Sequence, residues 1–348
     1  MREIGSDFET VDSKWIRGSA DARPPWERAG EQVQYFESGR QAIGALSREL
    51  RGNGLSTVLF PAHYCESMLA PFLRDGWDIQ LVGMLDDWTL DPHAVHSSLP
   101  LQQTLIFSTS YFGVPESASW TAVLTDAAVQ GAHIVSDETH RVWTPGPDFA
   151  TYRLASLRKL LPLPDGAFLT GPVPSATRTP SVSGPLRLDA MEAKRGYLAD
   201  GGSRDYRALF SAAESQLDAL SSWTRMALRS EELVKHLDYG AIAARRSSNH
   251  AVLVAGWSSE QFTVTTAAAP VPAYCVVRGS RVAELRRYLI GRGIYPPVHW
   301  VAPPAGYPRL GRWIGDVLSI PIDHRYDETD MQRVLETVHE FEREGSSK

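Results

Sequence analysis

Apolar positions along the chain recur at two spacings. In Gln41–Leu50, Ile43, Leu46 and Leu50 fall on one helical face behind Ser38 as an N-cap, so Ser38-Gly39-Arg40 is expected to turn into a helix N-terminus. Short apolar runs bounded by turn residues follow at Thr57–Pro61, Trp77–Val82, Thr104–Ser108 and His133–Ser136, with a helical stretch over Ser67–Leu73. Strands alternating with helices predict an α/β fold of βαβ units, its mostly parallel sheet covered on both faces. In such a sheet the loops at the C-terminal ends of the strands hold the ligand.

The pattern divides the chain. Residues 1–34 are largely polar, with Asp21-Ala-Arg-Pro-Pro25, and read as an extended N-terminal arm. Residues 35–237 carry the α/β pattern of a large domain. Within it, Pro172–Pro185 holds four prolines and is expected to be a loop, and Leu188–Leu237 is largely helical apart from Gly201-Gly202. Residues 238–348 read as a smaller α+β unit. Its expected strands are Val252–Ala255, Phe262–Thr266 and Tyr274–Val277, and its expected helices Arg281–Gly291 and Glu328–Arg343. No internal repeat is seen, and neither a dinucleotide-binding GxGxxG nor a phosphate-binding GxxxxGK[ST] motif occurs.

With 348 residues, of which 43% are hydrophobic and 22% charged, the chain has material for about two folded domains at roughly 150 residues each. A net charge of −6 offers no general pull toward nucleic acid or anionic membrane, so neither is expected as a partner. Two cysteines, Cys65 and Cys275, form no CxxC pair, there is no apolar run of membrane-spanning length, and Met1–Arg17 lacks a signal-peptide core. A cytoplasmic setting is the expectation. Thirty basic residues are arginine and only five are lysine, which leaves few candidates for amine chemistry.

One of those five, Lys159, lies in the apolar segment Ala155–Gly166, three residues after Ser156. A desolvated lysine loses its proton more readily and can attack an aldehyde, although most lysines are simply solvated. Upstream, Gly131–His140 reads as a strand running into Asp137, with His140 three residues later. Taken alone, Asp137 caps a turn and His140 fills a partly buried site. Taken with Lys159, they change meaning: a carboxylate that keeps a pyridine nitrogen protonated and a lysine that forms a Schiff base are what pyridoxal 5'-phosphate (PLP) requires as an electron sink.

On these residues the chain resembles the fold-type-I PLP-dependent enzymes, most of all the DegT/StrS-type, or sugar aminotransferase-like, family, over roughly residues 35–340. Ser38-Gly-Arg-Gln-Ala-Ile43 resembles its phosphate turn, and Val58–Cys65 its strand and aromatic loop. Asp86–Asp91 resembles the following Asp-rich turn, Ser136–His140 the acidic segment, and Leu318–Tyr326 the C-terminal Leu-Ser-Leu-Pro motif. The resemblance implies a mostly parallel seven-stranded sheet with a smaller C-terminal domain, PLP as cofactor and a homodimer. Lys159 would form the Schiff base and shuttle a proton, and Asp137 would pair with the ring nitrogen. His140 would bond the phenolic oxygen, and Gly39, Arg40 and Ser156 would hold the phosphate. Tyr64 is chosen as the ring over the cofactor, with Cys65, which stands in the family's aromatic column, and His63 as alternatives. His299 and Arg325 are candidate substrate contacts, the latter as a carboxylate clamp.

Two departures qualify the resemblance. The family's Gly-Tyr-Asn-x-Arg segment has no clean match in Leu198–Arg207, and Ser156-x-x-Lys159 is shorter than the family's usual interval, so nucleotide-sugar specificity is not implied. No metal is expected, since His93 and His96 flank a polar turn without partners. The activity implied is transfer of an amino group from an amino acid to a small polar carbonyl compound. Other PLP chemistry, such as elimination, decarboxylation or Cα–Cβ cleavage, and a non-catalytic regulatory role are the alternatives.

Overall fold

The computed structural model describes residues 2–17, 23–95, 99–172, 179–220, 222–265, 269–300, 306–307 and 315–346. The N-terminal residues are attached rather than free: β1 (Ile4–Gly5) pairs in parallel with Ile294–Tyr295 far along the chain. Ile4 and Trp26 are fully buried and Trp15 nearly so, which corrects the expectation of an extended arm without a core role. Large apolar side chains scattered one at a time through a polar segment give no periodic signal, yet each finds a slot.

The central sheet contains β2 (Val33–Phe36), β3 (Thr57–Pro61), β4 (Asp78–Val82), β5 (Thr104–Thr109), β6 (His133–Asp137), β7 (Tyr152–Ser156) and β8 (Ala167–Thr170). Its order is β2-β8-β7-β6-β5-β3-β4, and β8 alone runs against the other strands. A mostly parallel sheet of seven strands is thus present, as expected. Helix α1 (Gly39–Gly52) covers one face, with Ser38 accepting a hydrogen bond from the Gln41 N–H at its start. Helices α2 (Glu66–Arg74) and α3 (Ala118–Val129) complete the crossovers. Side chains alternate as the pleat dictates: Val58 and Phe60 join Ile43, Leu46 and Leu50 in one core, while Leu59 joins Ile106, Trp120 and Leu124 in the other.

Beyond the sheet come α4 (Ser183–Asp200), α5 (Tyr206–Ala219), α6 (Leu228–His236) and α7 (Tyr239–Gly256). Helix α7 overturns the strand expected at Val252–Ala255. Asp238 caps it by accepting from the Ala241 N–H at 3.0 Å, and its buried residues Ile242, Arg246, Asn249 and Leu253 recur at helical spacing. The apolar run Val252–Ala255 was too short to show its period alone. A second core joins α7 and the small sheet of β9 (Thr263–Val264), β10 (Cys275–Arg278) and β12 (Val317–Ile320). Helix α8 (Val282–Gly291), β11 (Ile294–Tyr295, the partner of β1) and α9 (Glu328–Ser346) complete it. The strand expected over Phe262–Thr266 is shorter than anticipated, and Thr266, like His96, lies outside the described residues.

A buried ion pair ties the N-terminal segment to the sheet. Arg153 on β7 grips Glu138 through Nε–Oε1 at 2.8 Å and Nη2–Oε2 at 2.9 Å, and also bonds Glu31 at 2.6 Å and the Trp26 carbonyl at 3.0 Å. Removing one partner of such a pair strands a charge in the interior. Arg153→Ala is therefore expected to cost about 3–5 kcal/mol in chemical denaturation. Loss of the surface pair by Arg17→Ala should cost less than about 1 kcal/mol. Equal effects would contradict the assignment of Arg153 as a buried tie.

Candidate active site

Strands β3, β5, β6 and β7 point the same way, so their C-terminal ends share one edge of the sheet. The chain order reverses beside β3, with β4 on one side and β5 on the other, which opens a crevice at that edge. The β6–β7 register sets Asp137 opposite Leu154, two residues before Ser156. Past Ser156 the chain makes a single 3₁₀ turn, Leu157–Lys159. Thr139 stitches the two strand ends together: its N–H donates to Asp137 Oδ1 at 2.9 Å, and its Oγ1 accepts from the Ser156 N–H at 3.0 Å. On the other side, the start of α1 packs so closely on this turn that a Cβ on Gly39 would lie 3.0 Å from Ser156 Cβ. Gly39, Asp137, Ser156 and Lys159 are thereby gathered at one place.

Electrostatics distinguish these groups from ordinary buried polar residues. Asp137 is 3% exposed and, among the described residues, has no ion-pair partner. Burial pushes its carboxyl up to about 6, against the opposing hydrogen bonds from Thr139. The Lys159 side chain is exposed to a cavity of about 360 Å³ that it lines with Arg158, Arg187, Arg246 and the N-terminal residues Gly5–Phe8. The neighbouring Arg158 charge, and then burial, bring its ammonium down to about 8, with Glu214 acting the other way. Glu214 on α5 is itself shared by Arg158 at 3.2 Å, Arg187 at 3.3 Å and Arg40 at 3.8 Å.

Around this point lies a cluster of rings. His140 stacks on Phe112 at 5.6 Å between centroids and meets His299 at 5.2 Å; His299 meets Tyr274 at 4.7 Å. The Phe112 N–H donates to His140 Nδ1 at 3.1 Å, which places the imidazole proton on Nε2. Burial, and then the Lys159 charge, lower His140 to about 3, so it is neutral. His63 is lowered by burial to about 4, and its Nε2 lies 3.0 Å from the His299 carbonyl; Tyr111 donates to the His63 carbonyl. His299 Nδ1 lies 2.8 Å from Ser319 Oγ.

The placement revises two expectations. Tyr64 is 1% exposed and sits in the α1-side core, edge-on to Phe60 at 5.8 Å, while His63 is the loop ring that joins the cluster with Tyr111 and Trp300. Tyr64 is thus a core ring, because the loop continues the strand alternation that sends Phe60 to that side. Arg325 borders the cavity, but its fork is taken by Asp323, with Nε–Oδ1 at 2.7 Å and Nη2–Oδ2 at 3.0 Å, and by Glu9 at 3.1 Å. An internal carboxylate thus occupies the clamp expected for substrate. The Arg40 side chain likewise turns away to Asp218 and Glu214, leaving only its backbone at the helix start.

Residues that sequence reasoning missed include Thr139, Arg158, Glu214, Arg246 and Gly5–Phe8. Asp-x-Thr after a strand was a legible turn signal for the first; the others lie far apart in sequence and carry no local mark. Among the described residues no group of three His, Cys, Asp or Glu side chains is placed to hold a metal ion, and no helix is long and apolar enough to cross a membrane.

In sequence, no family model matches the chain and no curated protein does. Solved structures do match in shape. The aminotransferase TlmJ from Streptoalloteichus hindustanus is 16% identical with a TM-score of 0.60, over 97% of this chain and 98% of that one. DesI, solved in the presence of its TDP-sugar product, is 16% identical with a TM-score of 0.61, over 94% and 86%. Spr1654 from Streptococcus pneumoniae, in its PLP form, is 14% identical with a TM-score of 0.59, over 88% and 85%. The chain has the fold of these proteins, the fold-type-I architecture.

Because Arg158 is the largest influence on Lys159, labelling of Lys159 by an amine-selective reagent should rise with pH through a midpoint near 8 in the cofactor-free protein. Arg158→Met, which removes the nearby cation and releases Glu214, should move that midpoint upward. Mass-spectrometric quantification of the labelled peptide reads both. A midpoint near the ordinary lysine value of 10.5, or no upward move, would contradict the account.

Proposed function

We propose that the protein is a PLP-dependent aminotransferase that moves an amino group from an amino acid donor to a small carbonyl compound. The observation that carries this reading is Asp137: a buried carboxylate with no cation partner among the described residues, one strand away from a lysine whose amine is readily deprotonated. An isolated buried carboxylate is costly, and a pyridinium N–H is a partner of the right charge and shape for it. The α1 N-terminus packed on Ser156 suits a phosphate, with the Gly39 and Arg40 N–H groups and Ser156 Oγ as its holders. The residues present therefore fit the cofactor.

When bound, PLP supplies an aldehyde that condenses with amines and a cationic ring that accepts the electron pair left at the substrate Cα. The chain supplies the rest. Lys159 Nζ would take the proton from the donor's Cα and deliver it to the cofactor's C4′ carbon, and would carry it the other way for the acceptor, a task favoured by a proton affinity close to the working pH. Asp137 holds the proton on the ring nitrogen, and the bond from Thr139 fixes the carboxylate's orientation. His140, neutral with its proton on Nε2, donates to the ring oxygen. His63 is the ring we assign to the cofactor's face. The likeness to TlmJ, DesI and Spr1654 supports amino transfer as the chemistry, while a homodimer belongs to the same reading through the family resemblance and a cytoplasmic setting through the two unpaired cysteines.

The purified protein is expected to be yellow with PLP and to lose its visible band on adding a productive amino donor, regaining it with a keto acid. Lys159→Ala should abolish turnover, and Asp137→Asn should lower it by at least about a hundredfold. Retention of the band with every donor tried, or full turnover by Lys159→Ala, would overturn the proposal.

A further inference from the structure

The cavity beside Lys159 is lined by several cations, and most of them are already answered. Arg158 and Arg187 share Glu214, Arg187 also pairs with Asp7, and Arg325 is held by Asp323 and Glu9. Arg286 also borders the cavity, but it is only half-buried and donates to the Pro296 carbonyl at 3.2 Å; Arg246 differs from it in being buried. It projects from α7, is 1% exposed, and has no carboxylate partner among the described residues. Its Nε donates to the Pro272 carbonyl at 3.3 Å and its Nη2 to the Ala273 carbonyl, while the guanidinium lies 5.2 Å from the Trp143 ring centre. Its Nη1 is buried with no hydrogen-bond partner.

A guanidinium stays charged inside a protein, and a buried charge left without a counter-charge is unfavourable. The Asp323 charge acts favourably on Arg246 from a distance, but both of its oxygens are committed to Arg325 and none bonds Arg246. A ligand anion is the remaining way to satisfy the unused nitrogen, and a carboxylate matches a guanidinium in charge and plane. The location suits a substrate group. Arg246 borders the same cavity as Lys159, and Tyr274, next to the carbonyl that anchors it, packs against His299 and His140.

We infer that Arg246 is the specificity-determining residue of this cavity and that the compound bound there is a small carboxylic acid whose carboxylate pairs with it. This rests on the proposed function only for the chemistry that follows binding. It also assigns the recognition role that Arg325, already paired, cannot fill.

The test is calorimetric titration of succinate, an unreactive dicarboxylate, into the purified full-length protein saturated with PLP, so that the phosphate site at the α1 N-terminus is filled, with its uncharged analogue succinamide and inorganic phosphate as controls. Succinate should bind, and succinamide should not. Arg246→Gln should weaken succinate at least tenfold with its far-UV circular dichroism unchanged, and Arg246→Lys, keeping charge without the fork, should fall between. If Arg246→Gln fails to fold, Arg246→Lys decides alone, a loss of threefold or more being the supporting result. Unchanged succinate affinity in either folded variant, equal binding of succinamide, or binding of phosphate in preference to succinate would overturn the inference. Succinate binding as described in a protein with no amino-transfer activity would remove the proposed function and leave this assignment; activity with unchanged succinate affinity would do the reverse.

Discussion

Parallel pairing of β6 with β7 is the constraint on which the candidate site depends. Each strand ends in a residue of opposite chemistry, the carboxylate of Asp137 and, one turn beyond Ser156, the amine of Lys159. Parallel strands place like ends together, so these groups meet at one edge without needing to be near in sequence. Thr139 then locks the offset between them, bonding Asp137 through its N–H and the Ser156 backbone through its hydroxyl. The close approach of α1 brings a helix N-terminus to the same turn, and this tolerates no side chain at Gly39 without displacing Ser156.

The interior treats its charges in two ways. Glu138 with Arg153, and Asp323 with Arg325, are paired through both carboxylate oxygens, and they fasten the N-terminal segment to the two halves of the molecule. Among the described residues, Asp137 and Arg246 are buried without such partners, and Arg246 borders the cavity that Lys159 lines. The same contrast separates two lysines. Lys194 is 1% exposed and, mainly through burial, also lowered to about 8, but its amine is spent on Ser6 Oγ, the Asp7 carbonyl and Glu9. Lys159 faces the cavity instead. A shifted proton affinity alone does not mark a reactive amine; an open side toward a cavity does.

Much of this was legible in the sequence. The runs at Thr57–Pro61, Thr104–Ser108 and His133–Ser136 became β3, β5 and β6 because each is apolar on both faces and bounded by turns. Asp137, His140, Ser156 and Lys159 were recognisable because they lie in or beside those strands. What escaped was non-local. Ile4, Trp15 and Trp26 are single anchors in a polar stretch, and the occupied fork of Arg325 depends on Glu9 and Asp323, one of them over three hundred residues away. Tyr64 and His63 are adjacent, and which of them turns to the cleft is decided by the pleat of β3, not by residue type. The strand expected at Val252–Ala255 failed because four apolar residues cannot distinguish a buried strand from the last turns of α7.

The central claim is that Lys159, and not the similarly shifted Lys194, is the amine that holds the cofactor. Sodium borohydride reduction of the protein after incubation with PLP, followed by peptide mapping, tests it directly. One stable pyridoxyl adduct is expected, on the peptide containing Lys159. An adduct on Lys194, or none at all, would contradict it.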